Sequence, residues 1–167
     1  MKWGCATRAD NFDRELVRLM KKAGCEDIFL GVESGSQKTL DTLNKGLTVE
    51  TARRAAKMLR EEGVEFTASF IIGFPWETEE DIHETLRFAE EVKAKVTQFH
   101  FPIPYPGTEL VRQVELHGGE IKPLGWEHYH TATQIIKTKI PEERLYQLYI
   151  DGVMLLLPKD LGDLIGF

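Results

Sequence analysis

The stretch FIIGFPWETEED, residues 70–81, runs from unbroken apolar residues through a glycine and a proline into a cluster of acids. This order predicts a strand that stops at Gly73 and a helix that begins at Thr78, whose hydroxyl can cap the first free amides. The three acids at 79–81 would lie in the first helical turn, where the helix dipole favours negative charge. A glycine at the end of a strand also lets backbone or ligand approach closely. The loop between strand and helix is therefore a candidate binding segment.

The same succession of strand and helix patterns runs through the first two thirds of the chain. Apolar runs predict four strands near residues 2–5, 27–33, 65–72 and 97–101, with helical patterns between them. Such a succession with short connections predicts parallel strands joined by right-handed crossovers. The second and third runs lack a clean alternation, which is typical of strands buried on both faces. We therefore predict an α/β fold with helices on one side of a four-stranded parallel sheet.

The regular succession of strand and helix patterns ends after the fourth predicted strand. PIPYPGTEL at 102–110 places three prolines in a loop, and a helix should follow from about residue 109 to residue 116. An irregular stretch around residues 126–130 comes next, and Pro141 should open a last helix. We assign residues 1–110 to the sheet and residues 111–167 to a helical C-terminal extension packed on it.

Composition limits the classes of function. At 167 residues and 42% hydrophobic, the chain can form one ordinary domain with its own core. Its net charge of −6 argues against a general nucleic-acid surface, because phosphate binding needs clustered Lys and Arg. No apolar run approaches the roughly 20 residues that cross a bilayer, and no export signal opens the sequence. We expect a soluble cytoplasmic protein, in which Cys5 and Cys25 are reduced because their spacing fits neither a disulfide framework nor a CxxC pair.

The carboxyl ends of the predicted strands are the candidate site. Ligands bind at these ends in parallel α/β sheets and barrels. We expect Glu33, Ser34, Gly73 and Pro104 to face one open groove there. Glu33 is unexpected at the end of a buried strand, because a buried carboxylate must be paired, hydrogen-bonded or in contact with a ligand. From spacing alone, we favour an ion pair of Glu33 with Arg8 or a loop cap over a ligand contact.

The other polar candidates also have structural interpretations. His100 within QFHFP is more often a hydrogen-bonded core residue than a catalyst, and His128 and His130 are too loosely placed to be metal ligands. Lys45 before Gly46 is most simply a cation that matches the dipole at a helix end. None of these residues alone identifies a function.

Four motifs together resemble the second half of a radical S-adenosylmethionine (SAM) barrel. They are CATRAD at 5–10, AGCEDIFLGVESGSQKTLDTLNKGLT at 23–48, GVEFTASFIIGFPWETEED at 63–81 and PIPYPGTEL at 102–110. Their order and spacing make the resemblance highly specific over residues 2–110. It is greatest to the branch that often carries a cobalamin-binding domain ahead of the barrel. That branch includes oxidative cyclases of tetrapyrrole synthesis and several methyltransferases.

The resemblance implies a partial TIM-like barrel of six βα units, of which this chain supplies the third to sixth strands. It also implies roles in SAM binding: a ribose contact after the second predicted strand, a methionine-carboxylate contact in the short helix that follows, and adenosyl packing after the third predicted strand. Gly73 and Pro75 would turn the chain and leave backbone exposed beside the adenosine. The GFP form of the glycine motif has one residue more than the commonest spacing, which makes Glu77 the least secure match. The implied cofactor-binding residues are Glu33, Ser34, Lys45, Ile71, Gly73, Glu77 and Pro104.

Two family motifs are missing from the sequence. The CxxxCxxC loop that holds a 4Fe–4S cluster does not occur, nor does the glycine-glycine-glutamate motif that holds the SAM amino group. Two distant cysteines cannot replace three closely spaced ones. We therefore expect a fragment, either a truncated gene product or an excised piece, that is inactive alone and has no cluster.

The parent enzyme would be a radical SAM oxidoreductase or methyltransferase that cleaves SAM reductively to a 5′-deoxyadenosyl radical. The chain would supply the adenosine side of the SAM site and part of the pocket for a small-molecule substrate. Its partner would be the missing N-terminal part of the barrel, through which cobalamin could also take part.

The alternative is a non-catalytic remnant that binds a nucleotide or a partner protein. Open sheet edges, with the apolar sides of Phe29, Phe70 and Ile72 exposed, should also make the isolated chain prone to form a homodimer. A CxxxCxxC motif encoded upstream of Met1 would favour the enzyme over the remnant.

Overall fold

A computed structural model describes residues 1–155 of the chain. Four parallel strands lie in the order of the chain: β1 (Trp3–Arg8), β2 (Cys25–Glu33), β3 (Glu65–Ile71) and β4 (Val96–His100). Each strand pairs in parallel with the next one along the chain, including β2 with β3. The predicted α/β fold with four parallel strands is confirmed.

Six α-helices of the described residues accompany these strands. They are α1 (Arg14–Lys22), α2 (Gln37–Leu43), α3 (Val49–Glu62), α4 (Glu79–Val92), α5 (Glu109–Leu116) and α6 (Glu142–Leu155). Helix α4 begins as the sequence predicts, because the Thr78 hydroxyl accepts from the Asp81 amide while the Asp81 carboxylate accepts from the Thr78 amide. Residues 156–167 of the expected helical extension lie outside the described residues.

The segment between α5 and α6 contains a small sheet that the sequence did not predict, besides the expected irregular stretch. Two short strands, β5 (Glu120–Ile121) and β6 (Ile136–Lys137), pair antiparallel there, and a 3₁₀ turn (Trp126–His128) lies between them. Each of these strands has only two residues. A run of that length is too short to produce an apolar period in the sequence.

The core lies between the sheet and its helices, and the other sheet face is open. Along β2 the side chains of Ile28, Leu30 and Val32 are buried, whereas Phe29 is 37% exposed. The expectation that β2 is buried on both faces is therefore wrong for the described chain. The alternation of buried and exposed positions along β2 is not visible in the sequence, because Phe29 is as apolar as its buried neighbours.

The prediction for Phe70 and Ile72 is also wrong. Both side chains are fully buried, because they point towards the helices and not towards the open face. Phe70 meets Phe88 of α4 edge to face, with ring centroids 6.3 Å apart, and stacks on Phe99 of β4. Only Phe29 of the three expected residues is exposed.

Candidate active-site groove

A groove of about 720 Å³ lies at the carboxyl ends of β3 and β4. This volume falls within the range of small-molecule sites. One wall is the end of α2 with Lys45, the floor is apolar and includes Ile71, Phe74 and Trp76, and the opposite wall runs from Thr108 into α5. The sequence indicated the first two parts but missed the α5 wall. The helix pattern directly after the proline-rich loop was the signal that could have identified it.

Glu33 is held in an unusual backbone conformation at the edge of this groove. The register between β2 and β3 shifts between Gly31 and Glu33, and Glu33 has a φ of 71°. A bulge of this kind re-aims a side chain, and a left-handed conformation at a non-glycine residue stores strain that is common at functional sites. The Glu33 Oε1 atom accepts a hydrogen bond of 2.8 Å from Lys45 Nζ, and the Glu33 side chain is 16% exposed. Glu33 therefore pairs with Lys45.

Arg8 does not pair with Glu33, which corrects the favoured sequence interpretation. Its guanidinium donates to both carboxylate oxygens of Asp10, at 2.9 and 2.7 Å. The same guanidinium also donates to the backbone carbonyl of Lys45. Gly31, which has no side chain, is the neighbour of Arg8 across the strand pair. Arg8 thus ties the end of β1 to the turn that carries Lys45.

His100 lies on the same side of the sheet as Ile71, its partner on β3. The imidazole is half-buried and forms no hydrogen bond with the described residues, so the interpretation as a hydrogen-bonded core residue is wrong. Burial lowers the pKa of His100, while the negative charge of Glu33 raises it. The clue in the sequence was its place at the end of a strand, although His100 does not line the groove itself.

The loop after β3 is buried and is stabilised by hydrogen bonds within the loop. The Glu77 Oε2 atom accepts hydrogen bonds from the amides of Gly73 and Phe74, at 2.7 and 2.9 Å. Burial raises the pKa of Glu77 to about 8, although both amides favour the charged form. A β-carbon on Gly73 would lie 3.0 Å from Leu145 and 3.2 Å from Phe101. The expected exposed backbone at Gly73 is therefore wrong, because the glycine makes room for side chains of its own chain.

Ser34 points away from the groove, contrary to expectation. It is fully buried, and its hydroxyl lies 2.9 Å from the Thr85 hydroxyl of α4. Thr85 also accepts from the Gly35 amide at 3.0 Å. Pro104 is buried as well and does not line the groove, although its loop neighbour Ile103 does.

The structure thus divides the seven predicted residues into two sets. Lys45 and Ile71 line the groove, and Glu33 joins its edge through Lys45. The buried set consists of Ser34, Gly73, Glu77 and Pro104. A contact of any of the seven with SAM stays a prediction.

The described residues do not fit an iron–sulfur cluster. Within residues 1–155, no group of three or more His, Cys, Asp or Glu side chains is placed to hold a metal ion. Cys5 and Cys25 are free thiols, and burial raises the pKa of Cys25, which disfavours the thiolate that a cluster needs. Cluster ligands would have to come from elsewhere.

Comparison with known proteins identifies the family. The model of the radical SAM superfamily matches residues 1–89, more than half of the chain. The chain belongs to the radical SAM superfamily.

Two relatives illustrate its place in the superfamily. An uncharacterized methyltransferase of Pyrococcus horikoshii is 32% identical over 83% of this chain and 30% of its own length. The anaerobic magnesium-protoporphyrin IX monomethyl ester cyclase of Cereibacter sphaeroides is 32% identical over 92% of this chain and 24% of its own length. The chain therefore spans less than a third of the length of these relatives. Their names agree with the cobalamin-associated branch that the motifs indicated.

Solved structures support the fold. The radical SAM methyltransferase TsrM from Kitasatospora setae, with cobalamin and a [4Fe-4S] cluster bound, matches with a TM-score of 0.72 and 17% identity, over 96% of this chain and 37% of that one. Coproporphyrinogen III oxidase from Escherichia coli matches with a TM-score of 0.66 and 12% identity, over 92% and 31%. Both are radical SAM enzymes by description, so the described strands correspond to part of a radical SAM barrel. Among residues 1–155, no helix has the length and apolar character to cross a bilayer.

Proposed function

We propose that this chain forms the adenosine side of the SAM site in a radical SAM enzyme. The observation that carries the proposal is the Glu33–Lys45 pair, held by a strand bulge at the carboxyl end of the sheet and next to a groove with an apolar floor. SAM presents an aromatic base, a ribose diol and a charged methionine end. The groove offers a matching partner for each of them.

Each partner follows from the chemistry of the side chain. Ile71 provides apolar surface for the base, and the Glu33 carboxylate can accept hydrogen bonds from ribose hydroxyls. The Lys45 ammonium can donate to the methionine carboxylate. The buried residues Gly73 and Glu77 support the site indirectly, since their mutual hydrogen bond fixes the loop that carries Phe74.

The radical chemistry would belong to the parent enzyme. A cluster bound to other parts of that enzyme would supply the electron that cleaves SAM. We propose that the N-terminal part of the barrel is the partner of this chain, that cobalamin could enter through it, and that the α5 wall borders a small-molecule substrate.

Anaerobic treatment of the isolated chain with iron and sulfide should yield no stoichiometric cluster, because the described thiols are only two. A stoichiometric cluster on the chain would contradict this part of the proposal.

Ligand binding to the chain tests the proposal without a cluster. S-adenosylhomocysteine has the base, the diol and the amino-acid end of SAM, and saturation-transfer NMR detects even weak binding of such a ligand. We expect saturation of the adenine and ribose protons by the wild-type chain. Glu33→Gln should reduce it, because the neutral amide is a weaker acceptor for the diol.

The matched control is Glu50→Gln on α3, which removes the same charge from an exposed pair with Arg53. It should leave the saturation unchanged. Absence of saturation with the wild-type chain, or equal loss in both variants, would contradict a SAM site at this groove.

A further inference from the structure

The ion pair between Glu33 and Lys45 occupies the very groups that the proposed ligand needs. Lys45 Nζ and Glu33 Oε1 are 2.8 Å apart, so each charge satisfies the other in the unliganded chain. Lys45 is the more accessible member of the pair, because its side chain is 44% exposed, whereas the Glu33 side chain is 16% exposed. A ligand that uses either group must first separate the pair.

Separation of the ion pair has a different free-energy cost for each of the two side chains. Lys45 can regain water, but Glu33 is largely desolvated and keeps an unpaired charge, which is unfavourable. A ligand with a diol but no anionic group would satisfy Glu33 only in competition with Lys45. A ligand with a carboxylate but no diol would draw Lys45 away and leave Glu33 unpaired. A ligand with both groups replaces both halves of the pair at once.

The backbone around the pair is fixed independently of the ion pair. Arg8 donates to the Lys45 carbonyl, while Asn44 and Gly46 on either side have left-handed φ values of 52° and 66°. The bulge before Glu33 is fixed by the pairing of β2 with β3. Of the three non-glycine residues with positive φ in the described chain, Glu33 and Asn44 both belong to this corner. The two side chains can therefore exchange partners while their backbones stay in place.

We propose that the Glu33–Lys45 ion pair acts as an exchange latch. The pair separates readily only when a ligand gives each side chain a new partner, so the groove selects ligands that carry a carboxylate and a diol together. This inference rests on the proposed function, since it concerns the same groove and the same ligand class. The latch couples recognition of the two ends of the ligand. It thereby disfavours the carboxylate-free adenosine derivatives that share the base and the sugar.

The latch predicts opposite effects of one substitution on two ligands. The probes are S-adenosylhomocysteine, which has both groups, and 5′-methylthioadenosine, which lacks the carboxylate, each titrated into the ¹⁵N-labelled chain and followed by amide shifts. The wild-type chain should bind the first more tightly. Lys45→Met should weaken the first by roughly three- to tenfold and strengthen the second by a similar factor, because Glu33 is then free for the diol. A simple loss of one contact would weaken the first ligand and leave the second unchanged.

Lys57→Met is the matched control, because Lys57 has a 68% exposed side chain on α3 and lies in a long ion pair of 3.8 Å with Glu61. It should change neither affinity, and retained amide dispersion verifies that both variants fold. If S-adenosylhomocysteine binds and Lys45→Met weakens it, but 5′-methylthioadenosine gains nothing, the latch is wrong and the SAM site stands. If neither probe shifts the groove amides of the wild-type chain, both proposals are overturned.

Discussion

At the scale of single residues, Glu33 determines the electrostatics of the groove edge. Its carboxylate lies beside the Lys45 ammonium and close enough to His100 to raise the pKa of that imidazole. Because the three residues come from the end of β2, the turn after α2 and the end of β4, one charge links three separate parts of the chain. A change at Glu33 should therefore be detected at His100.

Removal of this charge should lower the pKa of His100. In Glu33→Gln the attraction that favours the imidazolium is lost while burial of the ring remains, so protonation requires a lower pH than in the wild type. The measurement is an NMR titration of the His100 ring protons in both chains. Glu50→Gln, on the outer side of α3, should leave the titration unchanged. A rise of the His100 pKa in Glu33→Gln would contradict the assigned geometry.

Glu77 should make the stability of the chain depend on pH. Its pKa is raised from an unfolded value of 4.5 to about 8. A raised folded pKa favours the protonated form, so its contribution is fully present below pH 4.5 and is lost as the pH rises through about 8. In Glu77→Gln this part of the pH dependence should vanish, since the amide stays neutral and its carbonyl still accepts from the loop amides.

Urea unfolding between these two pH values checks the prediction, with the difference in free energy between wild type and Glu77→Gln as the readout. That difference should move in favour of the glutamine variant as the pH rises. Glu77→Ala should cost about 1–3 kcal/mol at the acidic end of this range, because the Gly73 and Phe74 amides lose their acceptor, and the cost should fall as the pH rises. Parallel pH profiles for wild type and Glu77→Gln would show that Glu77 does not titrate in this window.

At the scale of elements, Gly35 determines how closely β2 and α4 approach. A β-carbon there would lie 2.6 Å from both the Glu84 carbonyl oxygen and the Phe88 β-carbon, and 2.7 Å from the Thr85 α-carbon. Backbone atoms of a helix cannot move aside as a flexible side chain can. The turn after β2 therefore depends on a residue without a side chain.

Gly35→Ala should destabilise the chain by more than about 2 kcal/mol, since α4 must shift away from the sheet. Gly46→Ala is an instructive control, because Gly46 has a left-handed φ of 66° but no atom within 4 Å of its would-be β-carbon. Its cost should be the backbone strain alone, about 1 kcal/mol. Thermal or urea unfolding of the two variants gives the comparison. Equal costs would mean that α4 does not limit the substitution at Gly35.

The element scale also explains which predictions from sequence succeeded. Four parallel strands could be predicted because each is an apolar run followed by a helical pattern, and Thr78 could be predicted as a cap from its position before acids. The orientation of Ser34 could not, because the bulge after Gly31 changes which way the following side chains point. The hydrogen bonds of Glu77 to the loop amides could not be predicted either, since a sequence does not show which amides a carboxylate will bind.

At the scale of the whole molecule, the open face of the sheet is an apolar surface that the helices of residues 1–155 leave partly uncovered. Phe29 is 37% exposed and Val96 is 44% exposed, and both lie on this face. Within residues 1–155, no further strand pairs with the outer edges of β1 and β4, so both edges are available for strand pairing. A second copy of the chain could cover both features.

The isolated chain should therefore dimerise as its concentration rises. Multi-angle light scattering is the measurement, and Phe29→Ser should shift the equilibrium towards the monomer because it removes apolar area from the face. Leu116→Ser is a suitable control, since Leu116 is 70% exposed at the end of α5, away from the sheet. A strictly monomeric wild type at high concentration, or equal effects of the two substitutions, would contradict association through this face.

The strand order has a consequence for synthesis on the ribosome. Each of the strands β2, β3 and β4 pairs with the strand before it, so its partner has already left the exit tunnel when it emerges. The nascent chain can therefore assemble this sheet strand by strand, with one helix completed between β1 and β2, two between β2 and β3, and one between β3 and β4. The pair of β5 and β6 forms in the same order, because β5 has also emerged before its partner.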